Sequence, residues 1–362
     1  MTSKEPSPHM SEITPFLKQL LSLPGLSAYE APVREAIAEV WKPLVDELIT
    51  SRVGSLQGLR RGNGSEPRPS ILLSAHMDAI GLMATSIREG GFLRFTQIGG
   101  VDARILPGQL VTVHARRDLP GVVVMPPERL LPDGHGDKPV DKPYLFVDTG
   151  LSVEEVKQTV RVGDLISFAS SPNELPGDVI IGHSLDNRAS IAAVTICLQE
   201  LQHMTHTWDV WALASVQEEE TLLGALTSPF EIRPDLAVAI DVTFAKGPGV
   251  TDYRGRALNS GVIIGMGANI HPAVQKSFTD LAEKLDIPHE MDLMPKMSGT
   301  DAMGLQIVAE GIPCAVLSIP LRYMHTPVEE VCLKDIQRTG HLLAEYIARL
   351  EPDFVSKIIW ED

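Results

Sequence analysis

The sequence predicts an α/β fold with a mixed, mainly parallel sheet covered by helices on both faces and a small β-rich module inserted into it. Apolar strand-like runs alternate with helical periodicity along most of the chain, which is typical of such sheets. Between residues 81 and 169 the pattern changes to short strand-like runs separated by Gly, Pro and Asp clusters. The predicted domains are therefore a discontinuous α/β domain, residues 1–80 and 170–362, and the inserted module, residues 81–169.

The composition describes an acidic globular protein. The chain has 362 residues, of which 44% are hydrophobic and 22% are charged, close to the averages of globular proteins. Its 47 acidic and 31 basic side chains give a formal net charge of −16. Because such a surface repels phosphate backbones and anionic lipids, we expect no nucleic-acid partner and no membrane partner. The same charge is compatible with the binding of cations.

The cysteines and the N-terminal residues predict a cytoplasmic protein. Cys197, Cys314 and Cys332 lie far apart and form no CxxC pair. An odd, widely spaced set argues against a disulfide framework and against a thiolate zinc site. The first ten residues, MTSKEPSPHM, lack the apolar core of a signal peptide, and no apolar run is long enough for a membrane span.

Periodicity predicts the elements of the first half of the chain. Apolar residues repeat at helical spacing over residues 14–23 and 31–45, which predicts two helices. The apolar run ILLSA, residues 71–75, suits a buried strand. In the inserted module the runs FLRFTQI, QLVTVHA, GVVVM and DLISFA predict short strands, and the Pro- and Gly-rich residues 126–143 predict a loop.

The alternation of strands and helices resumes after Asp186, so the chain is expected to return to the α/β sheet there. The predicted helices cover residues 189–202, 274–285, 301–310 and 334–349, and the predicted strands cover residues 207–216, 236–242, 261–266 and 314–319.

Five side chains of metal-binding type stand at strand or loop ends of the α/β domain. Functional groups of open α/β sheets collect at the carboxyl ends of the strands, so we expect these five to converge. Two imidazoles and three carboxylates without a thiolate suit zinc, cobalt or manganese. Five ligands are too many for one tetrahedral ion that keeps a water, but they suit two ions that share one carboxylate. The candidate ligands are His76, Asp186, Glu219, Asp241 and His325.

Two further carboxylates are candidate catalytic residues. Asp78 lies two residues beyond His76, on the same side of an extended strand, where it is placed to orient the imidazole. Glu218 adjoins the candidate ligand Glu219 and is the natural general base for a metal-activated water. Each residue alone has an ordinary explanation, such as helix capping by Asp186. The position that they share at strand ends is what favours a site.

Motifs spread in order over nearly the whole chain carry a resemblance. They include SAHMDAIGLM, SLDNR, VQEEE, IDVT and the run MSGTDAMGLQIVAEGIPCAVLSIPLRYMHTPVEEV. Together they resemble the dinuclear metallo-aminopeptidases of the TET and glutamyl-aminopeptidase type, peptidase family forty-two of the metallo class, some members of which carry an endoglucanase label. The resemblance implies a zinc-exopeptidase-like fold, an inserted PDZ-like module used for oligomer contacts, and assembly from dimers, often into dodecamers.

The resemblance also implies a function. It implies a metal-dependent aminopeptidase that removes the N-terminal residue of peptides with a free N-terminus, using two divalent ions, zinc or cobalt foremost, and a glutamate base. The implied roles are the bridging carboxylate for Asp186, one ion for His76 and Asp241, the other ion for Glu219 and His325, the general base for Glu218 and support of an imidazole for Asp78.

Departures from the family pattern occur beside the site. Ala79 stands where Glu is usual, and Glu220 and Thr221 stand where Val and Gly are usual. Glu220 either adds a carboxylate that disfavours acidic substrates or faces solvent. Two other functions stay open: an endoglucanase-like glycoside hydrolase, which needs two carboxylates and no metal, and another di-metal amidohydrolase or deacylase on the same fold.

Overall fold

The structure is a computed structural model that describes residues 8–131, 138–250 and 253–358, with the backbone alone for residues 8–12. Part of the polar N-terminal segment and part of the predicted loop 126–143 therefore lie outside the described residues. On either side of that gap, the loop contains two short 3-10 helices, Glu128–Leu130 and Lys142–Tyr144.

The described residues contain ten α-helices and seventeen strands. The helices are α1 (Pro8–Leu21), α2 (Ala31–Trp41), α3 (Val153–Thr159), α4 (Leu185–Leu201), α5 (Glu218–Thr221), α6 (Leu223–Ile232), α7 (Pro272–Lys284), α8 (Ala302–Leu305), α9 (Leu333–Arg349) and α10 (Phe354–Lys357). The strands are β1 (Glu47–Thr50), β2 (Leu56–Arg60), β3 (Ser70–His76), β4 (Gly81–Ile87), β5 (Leu93–Ile98), β6 (Leu110–His114), β7 (Asp118–Val124), β8 (Phe146–Asp148), β9 (Leu165–Phe168), β10 (Asn173–Leu175), β11 (Val179–Gly182), β12 (Asp209–Ser215), β13 (Leu236–Phe244), β14 (Val262–Gly267), β15 (His289–Met294), β16 (Cys314–Arg322) and β17 (Glu329–Cys332).

Eleven of these strands form one mixed sheet. Its order is β1-β2-β12-β3-β13-β16-β17-β11-β10, and β14 pairs with β16 and β15. The centre is parallel, because β3 pairs in parallel with β12 and β13, and β13 with β16. The β1–β2, β2–β12, β11–β17 and β10–β11 pairs are antiparallel, whereas the side pair β14–β15 is parallel. The predicted mixed α/β sheet is confirmed. Its parallel strands lead to His76, Glu219, Asp241 and His325, whereas Asp186 follows the antiparallel strand β11.

Successive side chains of a strand point to opposite faces of the sheet, and on the central strands the side chains of both faces are buried. On β3, Ile71 and Leu73 belong to the large core under α1, α2, α4, α7 and α9, whereas Leu72 belongs to a smaller core under α6 and α8. The same alternation places Val238 and Ala239 of β13 in different cores. Strands that are buried on both faces have continuous apolar sequences, such as ILLSA, residues 71–75 of β3, and LAVAI, residues 236–240 of β13.

The other six strands close into a barrel in the order β4-β5-β8-β7-β6-β9. It has a core of its own, with Leu82, Val113, Val147 and Ile166 fully buried inside it. Closure pairs the strand edges that an open sheet of this size would expose. A β-rich unit thus lies where the change of sequence pattern predicts one. Its likeness to a PDZ domain and the domain boundaries stay predictions.

Two predicted helices differ from the structure. The helix predicted over residues 31–45 ends at Trp41, because Pro43 has no N–H to donate to the preceding turn. The helix predicted over residues 301–310 is wrong for most of its length: α8 covers Ala302–Leu305 alone, and Ala309 has a left-handed backbone conformation with φ 56°. A left-handed residue cannot continue a right-handed helix. The sequence analysis also did not predict β1, β2 and α6.

The three cysteines are buried and free, in agreement with the expected lack of a disulfide framework. Among the helices of the described residues, none combines the length and the apolar character that a membrane crossing requires.

Candidate metal centre

Strand alternation brings His76 and Asp241 to the same face of the sheet. His76 ends β3 and has the same parity as Leu72, while Asp241 in β13 has the same parity as Ala239. Leu72 and Ala239 belong to the smaller core, so both candidate ligands point to that face. Ser215, the last residue of β12, pairs in register with His76. The segment that follows, residues 217–222, is here called the glutamate loop; it contains the one-turn helix α5 and carries Glu218 and Glu219.

The remaining candidate ligands come from loops around this point. Asp186 lies at the start of α4, where its φ of −79° and ψ of 100° depart from helical values. His325 follows β16 with a φ of 61°. The backbone of both residues therefore departs from the regular conformation of the adjoining helix or strand.

The side chains of the five candidate ligands meet in two groups that share Asp186. His76, Asp186 and Asp241 form one group, and Asp186, Glu219 and His325 the other, each with ligand atoms within 4.8 Å of one another. The two oxygens of Asp186 face different histidines: Oδ1 is 3.2 Å from Nε2 of His76 and Oδ2 is 3.4 Å from Nε2 of His325. This is the arrangement that a carboxylate shared by two ions requires.

The electrostatics of the cluster fit divalent cations. Among the described residues, the carboxylates of Asp186, Glu219 and Asp241 have ion-pair partners only in the two histidines. Burial raises the pKa of Glu219 and of Asp241 well above the ordinary value. Burial acts on Asp186 in the same direction, but hydrogen bonds with the two histidines outweigh it and lower its pKa. Buried carboxylates without Lys or Arg partners gain compensating charge from metal ions.

Asp78 connects three residues of the site. Its backbone oxygen and its Oδ1 atom lie 3.3 and 3.4 Å from Nδ1 of His76, so the residue faces the nitrogen opposite to the one turned to the cluster. Its carboxylate also accepts hydrogen bonds from the backbone N–H groups of Glu218 at 3.0 Å and Glu219 at 3.2 Å, and from the hydroxyl of Ser27 at 2.6 Å. Asp78 therefore fixes both an imidazole and the glutamate loop.

Glu218 lies beside the cluster without belonging to either group of ligands. Its Oε2 atom is 3.7 Å from Nε2 of His76. Burial, together with the nearby Asp301 carboxylate, raises the pKa of Glu218 to about 8 despite the positive charge of His76. Asp301 itself is held by hydrogen bonds from Ser74 and Ser215, each at 2.6 Å. Glu218 is thus a carboxyl group that readily holds a proton next to the candidate ligands.

The positions that depart from the family pattern have local structural roles. Glu220 accepts a hydrogen bond from the backbone N–H of Gly99 at 2.6 Å, so its carboxylate joins the glutamate loop to the barrel. Ala79 is buried and donates its N–H to the carbonyl of Gly25. Thr221 donates its hydroxyl to the carbonyl of Gln217 within its own turn. Glu220 is exposed and does not line the cavity beside the cluster, which agrees with the interpretation that it faces solvent. An effect of Glu220 on acidic substrates stays a prediction.

The barrel reaches the candidate centre through Gly99 and Gly100. A Cβ atom built on Gly99 would lie 3.3 Å from Oε2 of Glu219, and one built on Gly100 would lie 2.6 Å from Nδ1 of His325. A side chain at position 100 would overlap the imidazole of His325 unless the ring or the turn moved. The cluster lies in a cavity of about 790 Å³, whose lining also includes Phe244 and Met297.

Glu329 is a site residue that the sequence analysis did not identify. It is 1% exposed, and its carboxylate accepts hydrogen bonds from the backbone N–H groups of His325 at 2.9 Å and Asp186 at 3.2 Å. No spacing rule marks such a residue, because it acts on backbone groups of two distant segments. The available signal was its place in the motif YMHTPVEEV.

Comparison with known proteins decides the family. A family profile described as M42 glutamyl aminopeptidase matches residues 54–342, most of the chain. The chain belongs to the M42 glutamyl aminopeptidase family. M42 membership makes it a peptidase, and therefore a hydrolase, and implies that it binds divalent metal ions.

Individual M42-type proteins are similar over nearly their whole length. The chain is 33% identical over 343 residues to a lysyl aminopeptidase of Pyrococcus furiosus, covering 93% of this chain and 97% of that protein. An aminopeptidase of Desulfurococcus kamchatkensis has a TM-score of 0.89 and 36% identity, with 96% and 98% of the two chains covered. A TET aminopeptidase of Thaumarchaeota archaeon SCGC AB-539-E09 has a TM-score of 0.91 and 28% identity, with 96% and 99% covered.

Two further solved structures bear on assembly and on the alternative activity. The TET1 peptidase of Pyrococcus horikoshii, which assembles into a tetrahedron or a large octahedral shell, has a TM-score of 0.81 and 28% identity, with 94% of this chain and 100% of that chain covered. A protein of Thermotoga maritima named an endoglucanase has a TM-score of 0.76 and 29% identity, with 95% and 99% covered.

Proposed function

We propose that this chain is a dinuclear metal-dependent aminopeptidase that hydrolyses the first peptide bond of peptides with a free N-terminus. The observation that carries the proposal is the position of Asp186, whose two oxygens face two histidines, each accompanied by another carboxylate. In this proposal His76 and Asp241 hold one ion, Glu219 and His325 hold the other, and Asp186 bridges them. Zinc and cobalt suit this donor set best, and manganese is compatible with it.

Glu218 is the proposed general base. Two bound ions would supply Lewis acidity, which would lower the pKa of the attacking water and polarise the scissile carbonyl. Glu218 takes one proton of that water as the new C–O bond forms and gives the proton to the amine nitrogen as the C–N bond breaks. The position of Glu218, beside the two groups of candidate ligands but outside both, supports this role, since the group must bind a proton and release it in turn.

Asp78 has a positioning role in this proposal. Its hydrogen bonds to the backbone of Glu218 and Glu219 hold the base and a ligand at a fixed separation, while its contact with His76 orients that ring. The carboxylates of the cavity wall attract the α-ammonium group of a peptide, which favours cleavage next to a free N-terminus over cleavage within the chain.

We also propose that the barrel provides contacts for self-association, from a dimer up to a dodecamer. The shells formed by the TET1 peptidase of Pyrococcus horikoshii support this proposal. The barrel exposes Phe92, Met125 and Leu130, whose exposed fractions are 37%, 53% and 67%. Light scattering coupled to size-exclusion chromatography tests it: a monomeric mass at all protein concentrations would contradict self-association.

One assay tests the proposed activity. Metal-stripped protein is titrated with zinc, cobalt and manganese against aminoacyl p-nitroanilides, their N-acetylated forms and carboxymethylcellulose. The proposal expects metal-restored cleavage of the free-amine substrates alone. Cleavage of the N-acetylated forms would indicate a deacylase or another amidohydrolase. Cellulose cleavage that resists chelation would instead favour the endoglucanase-like alternative suggested by the Thermotoga maritima protein.

A further inference from the structure

The chain segment between α1 and α2 lies against the candidate centre. Leu26 forms an isolated parallel bridge with Ala79, and Ala79 donates its N–H to the carbonyl of Gly25. These contacts place residues 27–30, SAYE in sequence, beside Asp78 and the glutamate loop. The hydroxyl of Ser27 donates to Oδ2 of Asp78 at 2.6 Å. The same short segment has a second contact with the site, through Glu30.

The Glu30 carboxylate joins this segment to the glutamate loop. Glu30 is 4% exposed, and its Oε1 atom accepts hydrogen bonds from the backbone N–H groups of Ala28 at 2.7 Å and Gln217 at 3.1 Å. Glu30 and Gln217 are 187 positions apart in the chain. Among the described residues, no cationic side chain lies within the 4.0 Å of an ion pair with this carboxylate. Glu30 therefore binds backbone groups of two segments instead of a charged partner.

The two residues that donate to this carboxylate both have left-handed backbone conformations. Ala28 has a φ of 72° and Gln217 a φ of 57°. Such a conformation is unfavourable for a residue with a Cβ atom and persists only where its surroundings enforce it. The carbonyl of Gln217 closes the glutamate loop by accepting from the N–H groups of Thr221 and Leu222, each at 2.9 Å. Hydrogen bonds on both sides thus hold the residue that directly precedes the proposed base.

Three successive N–H groups of the glutamate loop are held by carboxylates from outside the loop. Gln217 donates to Glu30 at 3.1 Å, while Glu218 and Glu219 donate to Asp78 at 3.0 and 3.2 Å. The first N–H groups of a helix have no acceptor within the helix, so they depend on such partners. The backbone of the proposed base is therefore fixed from its N-terminal side by one buried carboxylate and directly by another.

We propose that Glu30 is a positioning residue that fixes the proposed base Glu218 relative to the candidate metal ligands by holding the N–H of Gln217. This inference rests on the proposed function. Glu30 does not line the cavity of the cluster, so it acts through Gln217 and not on the substrate. The reach of its Oε1 atom is what matters, and its charge is not. A misplacement of about 1 Å in a reacting group can cost about 100-fold in rate.

Two substitutions separate reach from charge. Glu30→Gln keeps an acceptor oxygen at the same reach without the charge, and Glu30→Asp keeps the charge on a side chain one methylene shorter. Glu35→Asp, at an exposed position on α2, is the matched control. In the metal-loaded full chain, kcat on an aminoacyl p-nitroanilide should fall at least about tenfold in Glu30→Asp. Its KM should change less than kcat, because a misplaced base acts in the transition state.

Glu30→Gln and Glu35→Asp are expected to retain most of the kcat of the unmodified chain. A large loss of kcat in Glu30→Gln would overturn the proposal, because the charge would then be required. An unchanged kcat in Glu30→Asp would also overturn it. In the background of Glu218→Gln, Glu30→Asp should lower kcat by less than about twofold, since a residue that acts through the base then has nothing to position. An equal further loss in both backgrounds would indicate a structural role and contradict the proposal.

Hydrogen exchange followed by mass spectrometry tests the anchoring without any turnover. Amide exchange in residues 216–222 should be at least about tenfold faster in Glu30→Asp than in the unmodified chain, and it should be unchanged in Glu30→Gln and Glu35→Asp. If the unmodified metal-loaded chain cleaves no free-amine substrate, the proposed function fails, and the exchange rates still decide whether Glu30 anchors the glutamate loop. Unchanged exchange in Glu30→Asp would overturn the anchoring and with it this inference.

Discussion

The Oε1 atom of Glu329 lies 2.9 Å from the backbone nitrogen of His325, and its Oε2 atom lies 3.2 Å from the backbone nitrogen of Asp186. One buried carboxylate thus holds two candidate ligands from distant segments. Asp78 likewise accepts hydrogen bonds from the backbone N–H groups of two adjacent residues, the proposed base Glu218 and the candidate ligand Glu219. The candidate centre is therefore built in two layers, with the outer carboxylates fixing the backbone of the residues whose side chains converge.

Removing the Glu329 carboxylate is expected to weaken both the fold and the site. In Glu329→Ala two backbone N–H groups lose their acceptors in a buried position, so the free energy of unfolding should fall by about 3 kcal/mol. Metal affinity should fall by about 10- to 100-fold, as for other partners of metal ligands. Glu329→Gln keeps one acceptor oxygen and should lose less. Denaturant unfolding and cobalt titration measure the two effects.

Glu330→Ala is the matched control for this prediction. Glu330 is the next residue of β17, but its carboxylate pairs with Arg322 at 3.2 Å and does not contact the candidate ligands. We expect its metal affinity to equal that of the unmodified chain. Equal affinities for Glu329→Ala and Glu330→Ala would show that Glu329 has no positioning role.

A side chain at position 100 is expected to disturb one half of the centre. In Gly100→Ala the new Cβ would lie 2.6 Å from Nδ1 and 3.1 Å from Cε1 of His325, so the ring or the barrel turn must move. The group of Asp186, Glu219 and His325 should then bind its ion more weakly, while the His76 group is preserved. Stepwise cobalt titration followed by absorption spectroscopy resolves the two binding events.

Gly247→Ala controls for the substitution itself. A Cβ atom at position 247 would meet nothing closer than the Cδ atom of Arg322 at 3.7 Å, which is an ordinary contact. Two unchanged cobalt-binding steps are expected for this variant. If Gly100→Ala behaved in the same way, the barrel turn would not constrain His325.

Much of the fold could be predicted because periodicity and burial carry strong signals. The run over residues 71–75 corresponds to β3, and the apolar-periodic residues 334–349 correspond to α9. Elements with weak signals were missed: β1 is largely exposed, so its sequence ELIT lacks a clear alternation. The helix predicted over residues 301–310 failed because a local left-handed turn at Ala309 interrupts an otherwise helical pattern.

The convergence of the candidate ligands could be anticipated because strand ends are visible in sequence and parallel strands share one edge. The residues that act on backbone groups could not be anticipated in the same way. Glu329 and the Gly99–Gly100 turn approach the site through tertiary contacts between segments far apart in the chain. Such contacts depend on the register of β17 and on the orientation of the barrel, which no local pattern encodes.

The metal-free protein is expected to lose stability as the pH rises. The pKa values of Glu218, Glu219 and Asp241 are raised in the folded chain, so folding favours their protonated forms. The raised pKa values contribute fully to the free energy of unfolding below the ordinary pKa of these groups. The contribution is lost as the pH rises through the pKa values of the folded state, which is about 8 for Glu218. Urea unfolding of metal-stripped protein at a series of pH values measures the trend.

Bound metal should oppose this loss, because ionised ligands are then compensated by the ions. Metal binding must displace the protons held by Glu219 and Asp241, so metal affinity should increase with pH and binding should release protons. Calorimetry in buffers of different ionisation enthalpy counts the released protons. Proton uptake on metal binding would contradict the raised pKa values of Glu219 and Asp241. The buried His183, whose pKa is lowered to about 4, contributes an opposite gain in stability up to its ordinary pKa, so the loss expected from the carboxyl groups is measured above about pH 7.

Replacing Glu218 is expected to separate metal binding from catalysis. The side chain belongs to neither group of candidate ligands, and its backbone N–H still reaches Asp78 in Glu218→Gln, so the ions should be retained. Without a group to accept and return the proton, kcat should fall by about 10²- to 10⁴-fold. Metal content by atomic emission and kcat on an aminoacyl p-nitroanilide are measured together, with Glu231→Gln, an exposed position on α6, as the control. A Glu218→Gln protein that retains both its metal and its turnover would remove Glu218 from the mechanism, whereas a loss of metal would move it into the ligand set.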